Sequence, residues 1–433
     1  HRDLHSFPTR RSSDLLCLWL GLVAAACGAE YAVHGTTDKA AAIYPPGQPI
    51  TFTLRVLDGE KPVEGMTLKW IRTGDDGKTE KGEGVAGPDG LAITTAMDRP
   101  GFVRLLAHAF GPDGKNLQGF AGGWAANKIG NVFFDGGACV EPEKLQAGPE
   151  PADFDAFWDA MRAKVAAAPL TVERKPVEGA KPGVFAVTLA CPGPRPVTGY
   201  LSIPPDAPPK SLPAIVSFHG YGVGKHGPPT WTNPSAIVFD INAHGMELGR
   251  EDGYYEQLKK DLSGYAFKND ENADRETAYF HGMALRVLRA LHYVKSLPEW
   301  NGKELQSNGG SQGGLQGLWG AGLDKDVTSA SIWSPWCCDL GGLHQGRLKG
   351  WRPDHTSALD YYDPVFHAKR IRGKVHLIAL LGDYTCPPSG VWVVYNNIPG
   401  SSKSMEIKQG CTHGFEMKNP ARFTVTPSGI TTP

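Results

Sequence analysis

The sequence predicts an α/β domain built on a mainly parallel sheet flanked by helices, preceded by a small all-β sandwich of immunoglobulin-like type. Three observations lead there. The chain has 433 residues, more than one hydrophobic core usually organises. Between Tyr31 and Lys128, apolar and polar residues alternate in short runs separated by PDG turns, the period-2 pattern of half-buried strands. Beyond Phe154, apolar strand-like runs alternate with stretches of helical periodicity, the pattern of a parallel sheet covered on both faces.

His1 to Asp14 are polar and follow neither period, so they read as a non-native leader outside the fold. Leu15 to Ala26, LLCLWLGLVAAA, is an apolar run of twelve residues. That is too short to span a bilayer core of roughly 30 Å as a helix and suits a signal h-region. The small residues after it predict cleavage behind Ala26 or Ala29, and hence a secreted or periplasmic protein. Cys27 behind Ala-Ala offers lipoprotein anchoring as the alternative. No later segment reaches eighteen apolar residues, so no membrane span is expected. The resulting division is 1–29 leader and signal, 30–130 sandwich, 131–150 linker, 151–420 α/β domain and 421–433 tail.

In the sandwich, ITFTLRVLD, MTLKWIRTG, LAITTAM and FVRLLAHAF read as strands. Trp70 and Trp124 are its candidate glycan-binding aromatics, with a packing or spacer role as the alternative. The linker leads into DFDAFWDAMRAKVAAAP, where Phe154, Phe157, Trp158, Met161 and Val165 recur at helical spacing behind Asp153 as N-cap. Strands PAIVSFHG and SAIVFDINAHG follow. The next helix, around TAYFHGMALRVLRALHYVKSL, gathers Phe280, Ala284, Val287, Leu288, Leu291 and Val294 on one face, leaving His281 and His292 as interface or surface histidines. Then come a helix after GGSQGG, strands SASIWSPW and VHLIALLGD, a helix around GVWVVYNNI and the strand SMEIKQG.

Charge excludes one class of partner. Forty-four Lys and Arg against 45 Asp and Glu leave a net charge of −1, without the basic excess of a nucleic-acid binder. Cys139, Cys191, Cys337, Cys338, Cys386 and Cys411 lie beyond the leader, and an exported chain can pair some of them. With no CxxC spacing, structural zinc is not expected.

Gly309-Gly310-Ser311-Gln312-Gly313 satisfies G-x-S-x-G, the strand-to-helix elbow that exposes a nucleophilic serine and needs glycines where side chains would collide. The preceding ELQSN is less apolar than a central strand normally is. An acid and then a base should follow in the chain. Asp383 comes directly after the apolar run VHLIALLG, at the C-terminal tip of a buried strand, unlike Asp339, Asp354, Asp360 and Asp363. His413, in QGCTHGFE, is the sole histidine beyond it. The backbone amides of Gln312 and of Tyr221, in FHGYG, are the candidate donors to an oxyanion, with His219 bracing the loop.

The set FDAFW, FHGYG, GGSQGG, GDYTCPPS with a following YN, and HGFE resembles the acetyl xylan esterase and cephalosporin C deacetylase family of α/β-hydrolases, carbohydrate esterase family seven, over residues 150 to 418. The resemblance implies Ser311 as nucleophile, Asp383 as orienting acid, His413 as general base, and the Tyr221 and Gln312 amides as oxyanion hole. It also implies an acetylated carbohydrate substrate and a homo-oligomer, an assembly that the front sandwich can obstruct. Because the triad and water complete the acyl transfer between them, no metal or organic cofactor is expected. Trp333, Trp336 and Trp351 are candidates for stacking on sugar rings. Two departures stand out. Where the family carries Arg-Gly-Gln, this chain has Ala243-His244-Gly245, so the support those side chains give must be supplied differently. Only twenty residues follow His413, so the closing helix is absent, truncated or replaced. The same triad would also serve a feruloyl or other carboxylesterase or a peptidase, and a hydrolase scaffold can act as a non-catalytic glycan-binding protein.

Overall fold

The computed structural model describes residues 30–121 and 128–432. The expected leader and signal segment, and Trp124, lie outside the described residues.

The front of the chain forms two mainly antiparallel sheets, with a separate two-stranded ribbon of Gln118–Ala121 and Lys128–Asn131. One comprises Tyr31–Thr37, Ile50–Asp58, Lys61–Pro62 and Leu91–Thr95; the other Ile43–Tyr44, Phe133–Val140, Gly101–Phe110, Thr67–Gly74 and Thr79–Val85. Alternation decides which side chains enter: Ile50, Phe52, Leu54 and Val56 are buried while their neighbours face outward. Trp70 is half-buried over Gly82 on the neighbouring strand, where a Cβ would lie 2.4 Å from the indole. The sequence reads 131–150 as a linker, but Phe133–Val140 is a sandwich strand paired along its whole length with Gly101–Phe110. It is almost wholly buried because it is covered on both sides, so it lacks the alternation that marks its neighbours.

The α/β domain opens with helix α1 (Phe154–Ala167), which buries the five apolar residues expected of it. Asp153 does not cap it through its side chain. Its carboxylate instead bonds Arg275, at 2.7 Å, and Tyr361. The sheet strands are β1 (Val172–Pro176), β2 (Val184–Leu189), β3 (Val197–Ser202), β4 (Leu212–Phe218), β5 (Ile237–Ile241), β6 (Trp300–Gly310), β7 (Ser329–Trp333), β8 (Lys374–Leu380), β9 (Lys403–Lys408), β10 (Arg422–Thr426) and β11 (Gly429–Thr431). Their spatial order is β1-β2-β3-β5-β4-β6-β7-β8-β9-β10-β11, parallel from β5 through β9. Helices α2 (Asp252–Asp261), α3 (Tyr279–Ser296), α4 (Gln312–Leu323), α5 (Pro364–Ala368) and α6 (Pro388–Asn397) occupy the connections.

The chain runs from β4 outward to β5 and returns to β6 on the other side of β4. This reversal opens a crevice at the carboxyl ends of β4 and β6, where open α/β sheets place their sites. The polar β6 is nonetheless central. Its buried Ser307 hydroxyl donates to the Gly317 carbonyl of α4 at 2.9 Å, so that polar side chain is satisfied by the helix above it. His281 of α3 is buried and bonds the Tyr362 hydroxyl at 3.1 Å. Most of the expected tail 421–433 is instead the hairpin β10–β11, which adds two antiparallel strands to the sheet beyond β9. The six cysteines beyond the leader are free thiols, five of them buried, so the structure pairs none. Among the described residues no helix is long and apolar enough to cross a membrane.

Candidate active site

Ser311 stands between β6 and α4 with φ 55° and ψ −123°, a conformation costly for a residue with a side chain. Neighbouring glycines make room for it. A Cβ on Gly309 would lie 2.3 Å from Gly313, and one on Gly313 would lie 2.1 Å from the Phe218 carbonyl of β4. The end of β7 pins the turn: the Ser311 amide donates to the Trp333 carbonyl at 2.9 Å, and the Trp336 amide to the Ser311 carbonyl at 3.0 Å.

Three side chains meet at this turn. His413 Nε2 lies 2.9 Å from Ser311 Oγ, and His413 Nδ1 lies 2.8 Å from Asp383 Oδ2. Asp383 follows β8 and is fully buried. Its Oδ1 accepts the Cys386 amide at 2.9 Å, and its Oδ2 also accepts the Ser334 hydroxyl. A buried carboxylate holding three donors is fixed in position, and it imposes on His413 the tautomer with the proton on Nδ1. The remaining ring nitrogen then faces the serine as an acceptor. Asp383, Cys386 and His413 also bring three ligand-type atoms within 4.8 Å of one another, and two of these residues are already bonded to each other in the triad.

The opposite wall is the loop after β4. Gln312 is the first residue of α4, so its amide is among those a helix leaves without an intrahelical acceptor. Its buried side chain ties the elbow to this loop, donating to the Gly220 carbonyl at 3.3 Å and accepting the Tyr265 hydroxyl at 2.8 Å. Tyr265 accepts the Gly222 amide at 2.9 Å and stacks on the Tyr221 ring, 4.3 Å between centroids. His219 braces the same loop through Asp240, at 2.8 Å.

The Ala243-His244-Gly245 departure has a structural answer. His244 lies 3.0 Å from the Gly222 carbonyl through Nε2 and 2.8 Å from the Tyr279 hydroxyl through Nδ1. Burial drives its pKa down to about 3, so the ring is neutral, with Nε2–H donating to the loop and Nδ1 accepting from Tyr279. Arg286, reaching in from α3, supplies a buried guanidinium to the Ala243 carbonyl. Ser334 and Tyr265 are site residues that no sequence motif marks.

The tryptophans separate. Trp333 packs 5.2 Å from the His413 ring. Trp336 is a correction: it is 0% exposed, its indole N–H bonds the Trp351 carbonyl, and no sugar reaches it. Trp351, 43% exposed, stacks over Trp336 and edges the Tyr221 ring at 4.7 Å, so it carries this aromatic cluster to the surface.

The sequence model of the acetyl xylan esterase family matches residues 143–345 and 353–422, well over half of the chain. The chain belongs to the acetyl xylan esterase family. An acetyl esterase of Xylanibacter ruminicola, Axe7A, is 28% identical over 276 residues, 59% of this chain and 62% of that protein. The chain thus spans less than two thirds of that relative's length. Two solved structures share the fold. The acetyl xylan esterase from Paenibacillus sp. R4 has a TM-score of 0.54 at 24% identity, over 63% of this chain and 93% of its own. Acetyl xylan esterase 1 from Thermoanaerobacterium sp. JW/SL YS485 has a TM-score of 0.53 at 20% identity, over 64% and 94%. The family match begins after the front sandwich and is interrupted at 346–352, where Trp351 stands.

Proposed function

We propose that this protein is a serine esterase that removes O-acetyl groups from xylan, xylo-oligosaccharides or similar acetylated carbohydrates through an acetyl-serine intermediate. One observation carries the reading: an unbroken relay from Ser311 Oγ through His413 to Asp383, in a member of the acetyl xylan esterase family. His413 takes the proton from Ser311 as the oxygen attacks the acetyl carbonyl, and Asp383 stabilises the imidazolium that forms. The Tyr221 and Gln312 amides receive the developing oxyanion, a contribution typically worth about 10² to 10³ in rate per donor. His413 then returns its proton to the departing sugar oxygen. Water activated by the same ring cleaves the acetyl-enzyme, and every step uses the chain's own groups.

The exposed face of Trp351 and the flank of Trp333 beside His413 would seat the sugar. The apolar run LLCLWLGLVAAA supports export to the periplasm or outside. Family resemblance supports a homo-oligomer, which light scattering tests. Acetate release from acetylated xylo-oligosaccharides, compared between the wild type and Ser311→Ala, tests the reaction; hydrolysis unchanged in the variant overturns it. A strong preference for feruloyl or long-chain esters over 4-nitrophenyl acetate would move the acyl group away from acetyl.

A further inference from the structure

The front sandwich touches the catalytic domain at the two loops that carry the acid and the base. On the acid side, Gly382 lies so close to the Asp135 carbonyl that a Cβ there would come within 2.0 Å of it. Asp135 is buried and grips Arg104 in a two-pronged ion pair, with Arg104 Nε 2.8 Å from Oδ1 and Nη2 on Oδ2. That guanidinium lies 4.7 Å from the centroid of Tyr384. The residues before and after Asp383 are therefore both held by the sandwich.

The base side is built the same way. Gln409, buried at the end of β9, bonds Gly137 in both directions: it accepts the amide at 2.9 Å and donates to the carbonyl at 2.8 Å. Its Oε1 also accepts the Gly410 amide at 3.1 Å. A Cβ on Gly136 would lie 2.3 Å from that oxygen, so the strand approaches as only glycine permits. Beyond the histidine, Phe415 packs on Phe133 with centroids 5.0 Å apart. One strand, Phe133–Val140, thus meets both flanks of both loops, through itself and through the Arg104 that Asp135 holds.

We infer that the front sandwich is a working part of the catalytic centre, its strand Phe133–Val140 positioning Asp383 and His413 through Gln409 and the Arg104–Asp135 pair. Ser311 needs no such help, because its elbow is fixed by β6 and α4. The acid and the base sit on loops, which move more than strands do, and a displacement of about 1 Å costs on the order of 10² in rate. This inference rests on the esterase reading for its kinetic readout.

Two full-length variants test it. Gln409→Met keeps the volume and loses both bonds to Gly137. Arg104→Met with Asp135→Leu removes the ion pair without leaving either charge stranded. Expected in each are a loss of about tenfold or more in kcat on 4-nitrophenyl acetate, a KM within about twofold of wild type, and a broadened or lost downfield proton resonance of the His413–Asp383 hydrogen bond. Lys61→Ala, exposed on the opposite sheet, serves as the control with unchanged kcat. Folded variants that keep wild-type kcat and the resonance overturn the inference, as does a rise in KM alone. Should one variant fail to fold by near-UV circular dichroism, the other decides. A wild type inactive on acetyl esters, with the resonance still lost in the variants, would sink the esterase reading and spare the positioning role.

Discussion

Replacing Asp383 by Asn separates charge and tautomer from shape. In the wild type, Oδ1 accepts the Cys386 amide at 2.9 Å while Oδ2 accepts His413 Nδ1–H at 2.8 Å and the Ser334 hydroxyl. In Asp383→Asn the oxygen must stay on the Cys386 side, because an amide N–H has no lone pair to accept from an NH2 group. The NH2 then points at His413 Nδ1, which has to become an acceptor. Its proton moves to Nε2, aimed at Ser311, and such a ring cannot take the serine proton. The expected loss is about 10⁴ in kcat, roughly 5.5 kcal/mol at 1.36 kcal/mol per decade, with KM little changed. Asp383 is fully buried, so the neutral side chain should leave the melting temperature at or above that of the wild type. Asp383→Ala, whose imidazole is free to choose its tautomer, should lose less. Initial rates on 4-nitrophenyl acetate with a thermal melt on the same samples decide it. A folded Asp383→Asn retaining kcat within tenfold of wild type would refute the tautomer argument and the role of Asp383.

Three further outcomes are expected. His244→Phe leaves the Gly222 carbonyl without its donor and loosens the loop bearing the Tyr221 amide, so kcat should fall about 10- to 100-fold, the worth of about 1.4 to 2.7 kcal/mol, in a folded protein. Trp351→Ala should raise KM for acetylated xylo-oligosaccharides several-fold more than KM for 4-nitrophenyl acetate, since its exposed face is the sugar's while its other contacts, to Trp336 and Tyr221, serve both substrates. Burial, and then the charge of Asp339, raises the Asp363 carboxyl to about 7 from an ordinary 3.8. The folded state holds that proton more tightly than the unfolded one, so this stabilisation is complete below about pH 4 and fades as pH rises through about 7. Melting curves from pH 4 to 8 should therefore slope less in Asp363→Asn; parallel curves for the two proteins would reject the assignment.

The elbow and the triad are readable in the chain because each depends on a few adjacent residues: glycines where the Ser311 turn is crowded, an apolar run delivering Asp383 to a strand tip, a lone histidine behind it. Phe133–Val140 is not readable as a strand, since burial on both sides erases its alternation and Gly136-Gly137 imitate a linker. Nothing in Ser334 or Gln409 sets them apart from other polar residues until their partners are beside them, and His244, visible in the chain as a departure from the family's motif, shows its role only beside Gly222 and Tyr279.

From residue order alone follow the two architectures, the strained serine turn and the succession of nucleophile, acid and base, all governed by backbone sterics and periodicity over short windows. Folding settled the rest: that His413 reaches Ser311 across 102 positions, that Gln409 clasps Gly137 across 272, and that Trp351 and not Trp336 meets solvent. Such contacts depend on the lateral order of strands and on how two domains dock, and each is made by side chains with no local pattern to announce it.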